Sequence, residues 1–355
     1  MENKITNNSN NYHDELNKKN IMHLREILET LPPFCGQFFR GIQEYTSSRT
    51  RIAYAYDIRV FFEYMHEENP IFKKMKITDY TLDMLDLITR LDIEEYLDYC
   101  SYYVKDGKEY MNDERGKSRK LASLRSFYNY FFENELIQKN PAVLVPMPKL
   151  HEKEIVRLDV DEVAILLDTV ENGDKLTKQQ KAFHNKTKVR DVALLTLLLG
   201  TGIRVSECVG IDLKDIDFNN NGIKIRRKGG YETVIYFGDE VEKALRDYLE
   251  QREHIIPEEG NEDALFLSLQ KKRITVRAVE KLVKKYASLV TTLKKITPHK
   301  LRSTYGTSLY RETGDIYLVA DVLGHKDVNT TRKHYAAIED ERRRRAANVV
   351  KLREE

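Results

Sequence analysis

The sequence has no tryptophan, and its three cysteines, Cys35, Cys100 and Cys208, are far apart along 355 residues. They lack metal-ligand spacing, and any disulfide scheme leaves one of them over, so the expectation is a reduced, cytoplasmic protein. No apolar run approaches the roughly 18 residues of a membrane-spanning helix, so no such helix is expected, and no membrane is among the expected partners. Residues 1–20 lack the apolar stretch of a secretory signal; being rich in Asn and Lys, they read as a disordered leader. An excess of one charge is missing too: Lys+Arg 59 against Asp+Glu 57 gives +2, with the first 155 residues slightly acidic and the rest slightly basic. Bulk charge therefore announces no nucleic acid, and a DNA surface would have to come from local clustering. Carboxylates clustered for a catalytic metal are also lacking, which counts against a metal-dependent nuclease. What is abundant is core material: 41% hydrophobic residues, with 21 Tyr and 13 Phe. That excludes wholesale disorder, and the length suits two domains.

Helical patterns begin near Ile21, stop at Pro32 and Pro33, and resume over FCGQFFRGIQEY. In TRIAYAYDIRVFFEYMHEEN the apolar positions Ile52, Tyr56, Val60 and Tyr64 recur every four residues, predicting a long amphipathic helix with Ser47 or Ser48 as its cap. Further helices are expected at about 91–105 and 117–136. Pro141, Pro146 and Pro148 then favour an extended connector, placing a linker at 147–156 between a helical domain, 21–146, and a second domain, 157–340. The second domain opens with a helix capped by Asp159 or Asp161. ENGDKLTKQQKAFHNKTKVR reads as a loop with a partial helix, and VRDVALLTLLLG as a strongly apolar helix. Period-two alternation over 222–237 around Gly229 and Gly230 predicts a hairpin. Helices follow at 239–253, 275–290, 298–312 and 315–323, then a charged tail helix over 341–355. The fold class is mainly α: an all-helical first domain, and a mostly helical α+β second domain with a small antiparallel sheet.

Five places stand out for chemistry. In GTGIRVSE, Arg204 and Glu207 follow an apolar helix at helical spacing; alone they read as a structural ion pair. Lys228 sits at the hairpin tip, where a lysine is ordinarily solvated. In TPHKLRST, His299 and Arg302 share a face just after Pro298, a helix start suited to a phosphate. In LGHKD, Gly324 breaks a helix and His325 follows. In TTRKHYA, Tyr335 is a candidate nucleophile, able to form a covalent intermediate when its proton is removed.

Taken in this order, GTGIRVSE, RRKGG, TPHKLRST, LGHKDVNTT and Tyr335 resemble the tyrosine recombinase (phage integrase) family, Xer-like site-specific recombinases in particular. The resemblance spans about residues 40–340, with RTRIAYAYDIRVFFEYM and SRKLASLRSFYNYFF similar to the first and last helices of the family's core-binding domain. It implies that Tyr335 attacks a DNA phosphodiester and forms a 3′-phosphotyrosyl bond without ATP or metal. It further implies that Arg204 and Arg302 clamp the phosphate and that Glu207 supports the site. By the same resemblance, His299 would act as general acid/base, Lys228 would protonate the leaving 5′-oxygen, and His325 would bond the scissile phosphate; no cofactor is implied. His325 and Tyr335 are ten apart where many members have nine, a one-residue loop difference. The physics is compatible: forked guanidiniums suit a phosphorane-like transition state, and a phenol of pKa about 10 needs a base or a positive field to attack.

The resemblance gives the basic clusters a purpose. Arg49, Arg51, Lys117, Arg119, Lys120 and Arg125 lie on the two helices that the family lays against DNA, and Arg226, Arg227, Lys271, Lys272, Arg273, Arg277 and Lys300 could serve the second domain. The expected partner is double-stranded DNA at a specific recombination site, bound by a homotetramer on two sites that is monomeric or weakly associated without DNA. The task implied is chromosome-dimer resolution or mobile-element integration and excision; with no small arm-binding domain ahead of residue 21, simple-site use is favoured. The rivals are type IB topoisomerase-like relaxation and a non-catalytic helical DNA-binding regulator.

Overall fold

The computed structural model describes residues 12–151, 156–227, 230–325 and 327–328. The chain divides into two compact units, 1–153 and 154–355, and the division falls within 147–156, where the linker is expected.

The first unit contains α1 (Tyr12–Leu28), α2 (Cys35–Gly41), α3 (Ser48–Glu68), α4 (Arg90–Tyr99), β1 (Tyr102–Lys105), β2 (Lys108–Met111), α5 (Glu114–Glu133) and α6 (Pro141–Leu144). Of the two serines, Ser47 is the cap of α3: its side chain accepts from the Thr50 amide at 3.1 Å, satisfying one of the orphan donors of the first turn. Ala55, Ile58, Phe61, Phe62 and Met65 form the buried stripe of α3; Leu121, Leu124, Phe127, Tyr128 and Phe131 form that of α5. With no tryptophan available, phenylalanines fill the centre. Phe127 meets Phe38 and Phe131 edge-on at ring separations of 5.2 and 5.1 Å, the arrangement that aromatic quadrupoles prefer.

Two expectations need correction in this unit. Residues 12–20 of the supposed disordered leader are helical, because α1 starts at Tyr12. Buried Leu24 and Ile27 anchor this helix, Asp14 and Glu15 suit its positive N-terminal end, and Asn20 Nδ2 donates to Ser48 Oγ at 3.1 Å. The unit is also not all-helical. The helix expected over 91–105 ends at Tyr99, and an antiparallel hairpin follows, pairing Tyr102 with Met111 and Lys105 with Lys108. Its two-residue turn, Asp106 and Gly107, has φ of 50° and 70°, the left-handed pair whose twist matches that of the strands. Tyr99, Tyr103 and Tyr110 stack along one side of it, 5.1 and 5.0 Å apart.

The second unit contains α7 (Val160–Asn172), α8 (Lys178–Thr201), α9 (Val205–Val209), β3 (Ile216–Asp217), β4 (Gly222–Arg226), β5 (Glu232–Tyr236), α10 (Asp239–Glu253), α11 (Val276–Val290), α12 (Pro298–Thr313) and α13 (Ile316–Leu323). The three strands form one antiparallel sheet in the order β3-β4-β5. Asp159 precedes α7, and its amide donates to Glu162 Oε2 at 2.8 Å. The polar stretch after Glu171 is helical from Lys178 onward rather than mostly loop. Thr177 caps it by accepting from the Gln180 amide, and Gln180 reaches back to the Thr177 amide at 3.0 Å. The same helix runs on as the hub of the unit. Leu194, Leu195, Leu197 and Leu198 are all buried, so the C-terminal half of α8 is enclosed on every side by neighbours that include α7, α10 and α12. Just before these leucines, the buried Asp191 carboxylate accepts from Arg190, Thr187 and the Tyr286 hydroxyl, tying α8 to α11.

Candidate active site

The end of α8 sets the geometry of the site. Gly202 terminates the helix at φ +63°, and a Cβ there would lie 2.3 Å from Tyr305 Cδ1, so both backbone and space call for glycine. The chain then turns at Arg204, which has extended backbone and leads into α9. Glu207, 5% exposed, holds Arg204 twice: it accepts from the Arg204 amide at 2.8 Å and from Nη1 at 2.9 Å. Thus the ion pair that the sequence suggests is present, and it orients the guanidinium with Nη2 aimed at the Gly324 carbonyl, 3.3 Å away.

Arg302 comes from α12, whose first turn starts at Pro298 as the sequence predicts. It is 5% exposed and spans two segments, donating Nη1 to the Gly202 carbonyl at 2.6 Å and Nη2 to the Leu323 carbonyl. His299, one turn earlier on α12, is exposed. His325 follows Gly324, the left-handed residue that ends α13, and its amide donates to the Ala320 carbonyl at 2.9 Å. The half-buried His325 is therefore fixed by the same turn that receives Arg204 and Arg302. Arg204 and Arg302 are brought together with the Gly324–His325 turn; Lys228 and Tyr335 lie outside the described residues, as does the tail over 341–355. Among the described residues, no group of three His, Cys, Asp or Glu side chains is placed to hold a metal ion.

Several cations expected to meet DNA have other partners. Lys120 is buried and pairs with the buried Asp57 of α3 at 3.4 Å; Arg119, more exposed, pairs with the same carboxylate. Arg51 is buried and donates to Gln43 Oε1. Arg125 donates to the Ala142 and Val145 carbonyls, holding α6 against α5. Arg273 donates to the Val209 and Ile211 carbonyls and pairs with Asp212. Lys120, Arg51, Arg125 and Arg273 are thus held by internal contacts, as buried and half-buried cations need hydrogen-bond partners. Arg227 belongs with them, donating to the Val322 carbonyl at 2.8 Å and the Asp321 carbonyl at 3.3 Å. Nothing local in RRKGG distinguishes an arginine that caps a helix 94 residues away from one that faces a phosphate. Lys117 donates to Ser101 Oγ at 3.1 Å, whereas Arg49, Lys271, Lys272 and Arg277 are exposed and Arg226 and Lys300 half-buried.

A comparison with protein families matches residues 156–342 to the phage integrase family. Tyrosine recombinase XerC of Caldanaerobacter subterraneus is 34% identical over 351 residues, covering 95% of this chain and 92% of the relative. Among solved structures, the XerH site-specific recombinase bound to its palindromic difH substrate in a post-cleavage complex superposes with a TM-score of 0.62. It has 21% identity and covers 85% of this chain and 80% of that one. A lambda integrase tetramer bound to a Holliday junction gives a TM-score of 0.59 at 14% identity, covering 85% of this chain and 76% of that one. The chain belongs to the phage integrase family of tyrosine recombinases, enzymes that cleave and rejoin DNA. The mostly helical fold with small antiparallel sheets is that of the solved family members.

Proposed function

We propose that this recombinase acts at a specific double-stranded site, as a homotetramer on two sites, monomeric or weakly associated without DNA. The Tyr335 oxygen attacks the scissile phosphorus and gives up its proton to His299; the phosphorus–O5′ bond breaks, and the departing oxygen takes a proton from Lys228. A 3′-phosphotyrosyl bond and a free 5′-hydroxyl result, and the reverse steps with a partner strand's hydroxyl complete the exchange. Because the ester energy is kept in the protein–DNA link, the cycle needs no ATP. Arg204 and Arg302 stabilise the nonbridging oxygens, Glu207 orients Arg204, and His325 bonds the phosphate. The observation that carries this reading is the convergence of Arg204 and Arg302, from segments about 100 residues apart, on the turn bearing His325. Two forked cations on one turn are preorganised for an anion, which an isolated structural ion pair would not need. The likeness to XerC over nearly the whole chain favours chromosome-dimer resolution, in the cytoplasm, over mobile-element transfer. No helix among the described residues is long and apolar enough to cross a membrane.

A suicide DNA substrate followed by denaturing electrophoresis tests the chemistry. The wild-type chain forms a covalent adduct, and Tyr335→Phe binds the site but forms none. An adduct that survives in Tyr335→Phe removes Tyr335 from the role. Relaxation of supercoiled DNA without any requirement for two sites would favour a topoisomerase instead.

A further inference from the structure

The last carbonyls of an α-helix have no partner within it. At the end of α13 the carbonyls of residues 321–324 receive three guanidiniums from three separate segments. Arg227, just after β4, takes Asp321 and Val322; Arg302 takes Leu323; Arg204 takes Gly324. Two of these arginines are phosphate ligands in the reading above. Arg227 is not needed for that role, yet it takes two carbonyls of the helix end where each of them takes one. Its guanidinium lies so close to Gly324 that a Cβ there would sit 1.8 Å from Nη1, within the volume Arg227 occupies. Gly324 also has φ +60°. The turn that carries His325 is thus shaped on one side by its own left-handed backbone and on the other by Arg227.

We propose that Arg227 is a positioning residue for the DNA cleavage step. It fixes the C-terminal end of α13 against the end of β4, and so sets where Gly324 presents its carbonyl to Arg204 and where His325 projects. The inference rests on the recombinase reading and deepens it: it replaces a phosphate contact at Arg227 by an internal one. Three cations on the negative end of one helix are electrostatically favourable there. When Arg227 is shortened, the Val322 carbonyl loses its donor and the Asp321 carbonyl keeps only the Gly324 amide, so the turn relaxes while the bonds from Arg204 and Arg302 remain. The effect is then on the alignment of His325, not on affinity for DNA.

The test is single-turnover cleavage of a suicide substrate at saturating DNA, beside gel-shift titration and thermal melting. The proteins compared are wild type, Arg227→Ala, Arg227→Lys, His325→Gln and the double variant R227A/H325Q. Arg227→Ala should slow adduct formation roughly 10–100-fold, the range that small misplacements of a catalytic group cost. It should leave the half-saturating DNA concentration within about twofold, since no phosphate contact is lost. Arg227→Lys, which keeps the charge but not the fork, should fall between wild type and Arg227→Ala. In the His325→Gln background Arg227→Ala should slow cleavage less than about threefold, because residues acting as a unit are non-additive. Wild-type speed in Arg227→Ala, an equal slowing in both backgrounds, or weakened binding with an unchanged saturated rate would each overturn the inference. If Arg227→Ala melts too low to assay, Arg227→Lys decides by the same criteria with and without His325→Gln. Failure of the wild-type chain to form any adduct is a different result: it overturns the recombinase reading, and this inference with it.

Discussion

Arg302 joins Gly202 to Leu323: its buried guanidinium donates to the carbonyl that ends α8 and to the carbonyl that ends α13, segments about 100 and 20 residues away in sequence. A single side chain thereby sets the spacing of two turns, one leading to Arg204 and the other to His325.

Replacing Arg302 by alanine should remove both a phosphate ligand and this tie. Adduct formation should fall by roughly 10²–10³ or more, as for loss of a preorganised donor. Stability should fall by about 2–3 kcal/mol for carbonyls left without a charged donor. Lysine restores the charge but not the fork, so Arg302→Lys should recover stability in part and cleavage little. Melting curves and the suicide substrate separate the two effects, and near-normal cleavage by the lysine variant would show that the fork is dispensable.

Gly202→Ala should lose stability although it adds only a methyl group. The left-handed backbone costs an L-residue about 1–2 kcal/mol, and the new carbon would meet the Tyr305 ring at 2.3 Å. Urea titration should show a total loss of about 2–4 kcal/mol with an unchanged m-value, a single substitution at a special φ combined with overpacking. A loss confined to the backbone cost of about 1–2 kcal/mol would mean that Tyr305 swings aside without cost.

In the first unit, Asp57 and Lys120 form a buried pair between α3 and α5. Asp57→Ala leaves a buried ammonium behind and should cost about 3–5 kcal/mol, whereas replacing both residues by apolar ones of similar volume should cost far less. Burial raises the Asp57 carboxyl above its ordinary value, and Lys120 and then Arg119 offset only part of this. The folded state therefore holds that proton more tightly than the unfolded state. The associated stability is present below the unfolded value of about 4 and is lost as pH rises through the folded one. Urea midpoints of wild type relative to Asp57→Asn should decline with rising pH in that acidic window. A rising difference would mean that the neighbouring cations outweigh burial.

All three cysteines are buried as free thiols. Burial pushes the Cys208 thiol up to about 12, and raises those of Cys35 and Cys100 as well. The thiolate is the reactive form, so native protein should resist iodoacetamide at pH 8 and at pH 9, and label fully only in denaturant. Mass spectrometry of the peptide containing Cys208 checks this; rapid native labelling would reveal local opening of α9.

What the sequence made legible was mostly local. Ser47 and Pro298 signal helix starts through neighbours within one turn, and Arg204 and Glu207 pair at a spacing readable by eye. The Asp106–Gly107 turn was readable too, since Asp-Gly between YYVK and KEYM is a hairpin signal. The helical run before it, continued too far, obscured it. Other features depend on partners distant in sequence. Whether Lys120 faces solvent or Asp57 is decided by how α3 lies on α5. Whether Arg125 meets phosphate or the carbonyls of α6 is decided by a chain reversal about 20 residues on. Period and charge describe a helix face, but not what that face will meet.

The acceptors at the end of α13 are all main-chain oxygens, which makes the segment tolerant in one way and brittle in another. The side chains of Asp321 and Val322 can be exchanged without touching a bond to Arg227, so sequence drift there should be cheap. Inserting or deleting one residue is different: each residue turns an α-helix by about 100° and advances it 1.5 Å, which would swing every one of those carbonyls away from its arginine. The length of this short helix, rather than its composition, is what the site has to keep.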